Sequence, residues 1–253
     1  MNVFITGASS GIGAALARQY AGAGAQLGLF ARRADALDAL ARSLGSRSAA
    51  IYSGDVRDAS ALSAAAADFE ARFGAADIVI AGAGISQGTL TDHPEDNATF
   101  RAIMDTNVLG MLHTFQPFLP AMLAARAGKL VGIASVAGFR GLPGAGAYCA
   151  SKAAAIRYLE SLRVELGASG VRVVTICPGY VDTPMTARNP YRMPFLLPAE
   201  KAARLIVRAI ERGRRFYVLP WQMAWMGRLF AMAPRPAYDR TFARAKRKPR
   251  AAQ

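Results

Sequence analysis

The chain has 253 residues, of which 53% are hydrophobic, a mean hydropathy of +0.18 and a formal net charge of +14. A chain of this size and composition buries a full core, which excludes a disordered protein and a small cross-linked scaffold. Its two cysteines, Cys149 and Cys177, lie in apolar company without metal-ligand spacing, so neither a disulfide framework nor a zinc site is expected. The first strand begins at residue 2 or 3 with no basic leader before it, and no run of about 18 apolar residues occurs, so a cytoplasmic location is expected. The charge is uneven: from Glu200 onward there are 14 Lys/Arg against 3 Asp/Glu, whereas residues 1–199 hold 17 against 14. The basicity belongs to the C-terminal end and needs its own explanation.

Val3, Phe4 and Ile5 form the apolar run of a strand buried on both faces. Glycines at 7, 11 and 13 follow, and then residues 14–20 read as a helix. Strand, glycine turn and helix together aim backbone N–H groups and a helix N-terminus at a pyrophosphate. Strands are expected next at 25–31, 49–53, 77–81, 129–135, 171–177 and 216–219. Between them helices are expected at 34–44, 59–73, about 97–125 (disturbed at Pro117 and Pro120), 147–166 and 198–212. Such alternation predicts an α/β fold: a single Rossmann-type doubly wound domain with a seven-stranded parallel sheet flanked by helices. Residues 1–220 make that domain; residues 221–253 form a short helical extension and a basic tail.

The stretch Thr6-Gly7-Ala8-Ser9-Ser10-Gly11-Ile12-Gly13 resembles the cofactor loop of the classical short-chain dehydrogenases/reductases. The second strand ends at Arg32-Arg33, where a dinucleotide fold meets the adenosine ribose. An acid there binds the 2′-hydroxyl, whereas two guanidiniums suit a 2′-phosphate, so NADP(H) is the expected cofactor. Asp55-Val56 matches the family's adenine-contacting pair. After the fourth strand the family carries Asn-Ala-Gly; this chain has Gly82-Ala83-Gly84, so a supporting side-chain hydrogen bond is absent while the backbone at Ala83 and Gly84 still passes the cofactor.

Tyr148-Cys149-Ala150-Ser151-Lys152 places Tyr and Lys on one helical face. A free phenol titrates near pH 10, too high for easy proton exchange, and a cation about 4 Å away at an effective dielectric near 20 would be worth roughly 4 kcal/mol, or about three pKa units. The resemblance implies Tyr148 as general acid or base and Ser135 as the hydroxyl holding the substrate oxygen. It implies Lys152 as ribose ligand and tuner of Tyr148, and Asn107 as support of a proton relay. Pro178-Gly179-Tyr180-Val181-Asp182-Thr183 matches the segment that orients the nicotinamide carboxamide, through Val181 and Thr183. No metal is required. His93 and His113 fall outside this constellation and read as structural.

In the family the stretch between Thr183 and Pro198 covers the substrate, and here it offers Met185, Tyr191, Met193, Phe195 and Leu196, which suit an apolar pocket. Trp221, Trp225, Leu229 and Met232 recur on one helical face, followed by the basic run from Arg244 to Arg250. Two readings are open for this end. The aromatic face packs over the pocket mouth while the tail stays solvated, or both engage an anionic membrane surface. Nucleic acid is disfavoured, because the run has no interleaved aromatics and no reader motif.

The leading expectation is an NADPH-dependent reductase, or the reverse dehydrogenase, acting on an apolar ketone, aldehyde or alcohol. A membrane-surface lipid-ketone reductase and a non-catalytic NADP-binding sensor or scaffold are the rivals. The resemblance also implies a homodimer through helices 97–125 and 147–167, with a tetramer left open.

Overall fold

The computed structural model describes residues 1–45 and 49–250. Seven parallel strands form one sheet: β1 (Asn2–Thr6), β2 (Gln26–Ala31), β3 (Ala49–Ser53), β4 (Ile78–Ala81), β5 (Lys129–Ile133), β6 (Arg172–Pro178) and β9 (Phe216–Leu219). Their order is β3-β2-β1-β4-β5-β6-β9. The connections run outward in opposite directions from β1 and β4. The C-terminal ends of those two strands therefore flank a switch point, where open α/β sheets leave a crevice.

Side chains alternate across each strand, and the alternation sorts the core into two layers. Val3 and Ile5 of β1, with Ile78 and Ile80 of β4, pack on one face with Leu16, Leu37 and Ile206. These come from α1 (Gly11–Gly22), α2 (Ala34–Leu44) and α8 (Ala199–Glu211). Phe4 and Val79 face the other way, onto Phe69, Phe115, Phe118 and Leu159. Those lie on or beside α3 (Ala59–Phe73), α5 (Gly110–Phe115), α6 (Leu119–Ala125) and α7 (Gly146–Glu165). Phe4 is fully buried, with ring centroids of Phe118 and Phe69 at 4.7 and 5.5 Å. The sequence reading of a strand buried on both faces holds.

The long helix expected over 97–125 is divided. α4 (Asp96–Met104) passes into a π-helical turn, Asp105–Leu109, before α5; Pro117 lies in the gap ahead of α6. Proline lacks the N–H that would continue the ladder, which explains the second break. The first break inserts a wide turn at Asn107, and such turns concentrate at functional positions. No single helix among the described residues is long and apolar enough to cross a membrane.

Beyond the sheet, β7 (Val181–Asp182) and β8 (Leu197–Pro198) pair as a miniature parallel sheet across the base of the expected substrate cover. The two helical pieces expected after Pro220 are α9 (Trp221–Met232) and α10 (Arg235–Phe242). α9 does not pack its aromatic face over the pocket mouth, one of the two readings open for it. Its inward residues are Met223, which lies on Gly179, and Gly227, where a Cβ would come within 2.5 Å of the Phe139 ring. Trp221, Trp225, Leu229 and Met232 consequently face solvent and do not cover the pocket.

Candidate functional site

A cavity of about 540 Å³ opens along the C-terminal edges of β1, β2, β4, β5 and β6, within the size range of small-molecule sites. Of the residues expected to bind cofactor, all but Thr6 line it, from Gly7 and Ser9 through Arg32, Arg33, Asp55, Val56, Ala83 and Gly84 to Pro178, Gly179, Val181 and Thr183. Thr6 is fully buried beneath the loop, accepting from the Gly82 N–H at 3.2 Å.

The glycine turn is held by backbone approach. Gly7 has φ of +71°, and a Cβ there would lie 2.7 Å from Ala83; a Cβ on Gly13 would collide with the Gly7 carbonyl. A side chain at either position would fill the cradle. Ser10, which caps α1, makes no side-chain capping bond, so the first N–H groups of that helix are available for an anion. Arg33 reaches back to Ser9, donating to its hydroxyl at 3.2 Å and its carbonyl at 3.3 Å. Asp55 is clamped by Arg57 at 2.7 Å, which holds its carboxyl below the usual range. These features fit a phosphorylated dinucleotide.

Gly82 has a role of its own. A Cβ at this position would lie 2.8 Å from the Thr6 carbonyl, so the glycine lets the turn after β4 settle against the end of β1.

Ser135 follows β5 by two residues, and its hydroxyl accepts from the Ala137 N–H at 3.1 Å and donates to the Pro178 carbonyl at 3.4 Å. Tyr148 and Lys152 project from the first turns of α7 into the same cavity. The electrostatics differ from the simple expectation. Lys152 is 5% exposed, donates to the Ile133 carbonyl at 2.8 Å, and lies 5.8 Å from the Tyr148 ring centroid. Burial lowers its pKa to about 8, and burial pushes the Tyr148 phenol up to about 12, with the Ser135 hydroxyl pulling the other way. Enclosure disfavours the charged form of both groups, so the predicted lowering of the phenol is not present in this geometry.

Asn107 does not line the cavity. It stands behind, 1% exposed, with its Oδ1 accepting from the Ile85 N–H at 2.8 Å and its Nδ2 donating to the Ile85 carbonyl at 3.0 Å and the Ser151 hydroxyl at 2.9 Å. The π-helical turn thus ties the loop after β4 to α7. Ser151, which in turn donates to the Tyr148 carbonyl at 2.8 Å, was not singled out by sequence. Within the Tyr-x-x-Ser-Lys stretch its proximity to Tyr148 was the one available signal. His93 meets Glu95 and His113 meets the Val56 carbonyl, each at 3.0 Å, consistent with structural histidines. Among the described residues no cluster of His, Cys, Asp or Glu could hold a metal.

In the segment expected to cover the substrate, Met185, Thr186 and Arg188 line the cavity, and Tyr191 meets Tyr180 with ring centroids 6.4 Å apart. Thr186 closes a turn by donating to the Val181 carbonyl at 2.6 Å. Phe195 and Leu196 are exposed, against expectation, because β8 begins beside them and turns them outward.

The basic tail is solvated only in part: Arg244, Lys246 and Arg247 are exposed, whereas Lys248 and Arg250 turn inward. Arg250 pairs with Asp96 at 2.8 Å and Glu95 at 2.7 Å, and Lys248 donates to the Ser86 hydroxyl at 2.6 Å. Their charges are turned into the fold.

Comparison with known proteins agrees with this architecture. The short chain dehydrogenase family model matches residues 1–192. An uncharacterized oxidoreductase of Myxococcus xanthus is 39% identical over 237 residues, covering 93% of each chain. Among solved structures, an alcohol dehydrogenase of the archaeon Thermococcus sibiricus, complexed with 5-hydroxy-NADP, is 28% identical with a TM-score of 0.77, covering 86% of this chain and 95% of that one. A serine dehydrogenase complexed with NADP+ is 26% identical with a TM-score of 0.81, covering 87% and 94%. The chain belongs to the short-chain dehydrogenase family and is an oxidoreductase of that class.

The packing of Gly82 gives a testable outcome. Gly82→Asn, which installs the family's usual residue, is expected to cost about 1–3 kcal/mol through overpacking against the Thr6 carbonyl. The measurement is denaturant unfolding; unchanged or greater stability would show that the turn is free to adapt.

Proposed function

We propose that the protein is an NADP(H)-dependent carbonyl reductase, or in reverse an alcohol dehydrogenase, acting on a ketone or aldehyde with apolar substituents. The observation that carries this reading is convergence: Ser135, Tyr148 and Lys152 share one cavity with Arg32 and Arg33. NADPH supplies the hydride when bound, and the chain supplies orientation and the proton. Arg32 and Arg33 bind the 2′-phosphate, with Arg33 already braced on Ser9. The Ser135 hydroxyl holds the substrate oxygen, while its own oxygen is fixed by the Ala137 N–H. Tyr148 gives the proton from its Oη. With its pKa raised by burial, it stands as the neutral phenol at neutral pH, the form that can donate. Lys152 is the ribose ligand, held ready by the Ile133 carbonyl, and Asn107 positions both the loop at Ile85 and the turn carrying Ser151. Residues 1–220 form the cofactor-binding and catalytic domain and 221–253 the extension.

Tyr148→Phe removes only the proton donor. Turnover of a carbonyl substrate is expected to fall by at least a hundredfold, the usual order for a lost general acid, while NADPH still binds by fluorescence titration. Near-normal turnover would remove the mechanism. Replacing Arg32 and Arg33 by Ala is expected to weaken NADPH on the order of a hundredfold through the lost charge-assisted contacts, with little effect on NADH. Equal losses for the two cofactors would overturn the 2′-phosphate assignment.

The reading includes a homodimer through α4–α6 and α7. Phe100, Leu109 and Val164 are large exposed apolar residues on these elements, and covering them supports pairing. Light scattering at micromolar concentration is expected to give the dimer mass; a monomer would contradict it.

A further inference from the structure

The C-terminal segment returns to the mouth of the catalytic cavity and is bonded there along its length. The Pro249 carbonyl accepts from the Gly88 N–H at 2.8 Å, and Arg250 forms a parallel bridge with Gly88. Arg247 lies over Gly144, where an added Cβ would come within 2.8 Å of its side chain. Gly88 is in the loop after β4, and Gly144 in the turn that leads into α7 and Tyr148. Arg250 locks the end by its two carboxylate contacts, of which Asp96 is nearly buried and also accepts from the Leu90 N–H at 2.8 Å. The root of the segment is fixed as well: Tyr238 donates to the Gly141 carbonyl at 2.7 Å, under the Arg140 guanidinium at 4.0 Å.

This strap delivers one side chain to the substrate end. Lys248 Nζ lies 5.5 Å from the Tyr148 ring centroid and donates to the hydroxyl of Ser86, itself part of the cavity wall. Among the described residues no carboxylate stands within ion-pair distance of this ammonium; its hydrogen-bond partner is a neutral hydroxyl. The cavity wall contains a single acid, Asp55, which is at the Arg32–Arg33 end and bound to Arg57. Burial lowers the Lys248 pKa, with the Cys149 thiol pulling the other way and no carboxylate beside it. A half-enclosed cation without a counter-charge is costly to keep, and an arriving anion repays that cost.

We propose that Lys248 is a specificity-determining residue of the substrate site and that the substrate bears a carboxylate near its reacting carbonyl or alcohol carbon: a keto acid or the corresponding hydroxy acid. The proposal rests on the carbonyl-reductase reading and narrows its substrate class. The apolar part of such a molecule meets Met185, the carbonyl meets Ser135 and Tyr148, and the carboxylate meets Lys248 and Ser86. Lys248 does not take part in proton or hydride transfer; it selects and places.

Two measurements on the full chain decide it. In calorimetry with the NADPH-saturated protein, the unreactive anion pentanoate is expected to bind more tightly than pentanamide. Lys248→Met is expected to erase that preference, a loss of roughly tenfold or more for one charge-assisted contact, and Lys248→Arg to keep it. Pentanoate binding no better than pentanamide in the unaltered protein, or as well in Lys248→Met, would overturn the proposal whether or not turnover is found. In steady-state kinetics, 4-oxopentanoate is compared with its amide. The unaltered protein is expected to favour the acid at least tenfold in kcat/KM, mainly through KM, and Lys248→Met to lose that ratio. Reduction of both at equal kcat/KM would overturn the role of Lys248 and leave the carbonyl reductase standing. Consumption of NADPH with neither would count against the reductase reading, and the calorimetric comparison would then decide Lys248 by itself.

Discussion

The site depends on main chain touching main chain at the switch point between β1 and β4. Gly7 lies against Gly82 and Ala83, Gly13 against the Gly7 carbonyl, and Gly82 against the Thr6 carbonyl. A Cβ on Gly7 or Gly82 would force the two loops apart, and one on Gly13 would distort the glycine turn itself; these loops carry the N–H groups and the cavity wall. The register of the sheet transmits this constraint further. Thr6 pairs with Ala81 and Ala81 with Gly132, so the ends of β1, β4 and β5 are level. Ser135, two residues beyond β5, therefore emerges beside the same crevice as the glycine turn.

The Tyr148–Lys152 pair shows why proximity in sequence does not set protonation by itself. Tyr148 and Lys152 share a helical face as their spacing requires, but enclosure opposes both charges, and Lys152 spends its hydrogen bond on Ile133. A cation stabilises a phenolate only when it remains charged and close. Within this protein burial instead favours the protonated phenol, which is compatible with the proton-donor role proposed for Tyr148. Asn107 braces this region, since its three side-chain bonds tie the loop at Ile85 to the start of α7.

Strand, glycine turn and helix were legible because each has a local pattern: β3 and β9 fall on the expected residues, and the order of apolar runs gives the parallel sheet. The lining of the cavity was legible for the same reason, since its residues sit at the ends of recognisable strands. What was not legible depends on contacts between distant segments. The π-helical turn at Asp105–Leu109 has no composition signal, being chosen by what Asn107 reaches across the fold. The spacing of Trp221, Trp225, Leu229 and Met232 gave a real helix face but not its direction: it does not cover the pocket, because Gly227 offers Phe139 a closer approach than any larger residue could.

The tail is the sharpest case. As a sequence, the run ending at Arg250 is a block of like charge, and such a block ordinarily repels itself into solvent. Two acids at the start of α4 change the outcome. Glu95 and Asp96 meet the Arg250 fork, and because the Asp96 carboxylate is largely enclosed and bonded to the Leu90 N–H, this pair is less screened than an exposed one. The pairing offsets the entropy of returning a chain end to the body, a cost that grows only slowly with the length of the loop being closed. Once Arg250 is held, the preceding residues have little freedom, since Pro249 binds Gly88 and Arg247 rests on Gly144. The position of Lys248 beside Tyr148 then follows from its place in the strap together with its bond to the Ser86 hydroxyl, for no carboxylate holds it there. An ion pair at one end of a segment thus supports a cation within it that no carboxylate faces, bonded to the cavity-wall hydroxyl of Ser86 and 5.5 Å from the Tyr148 ring centroid.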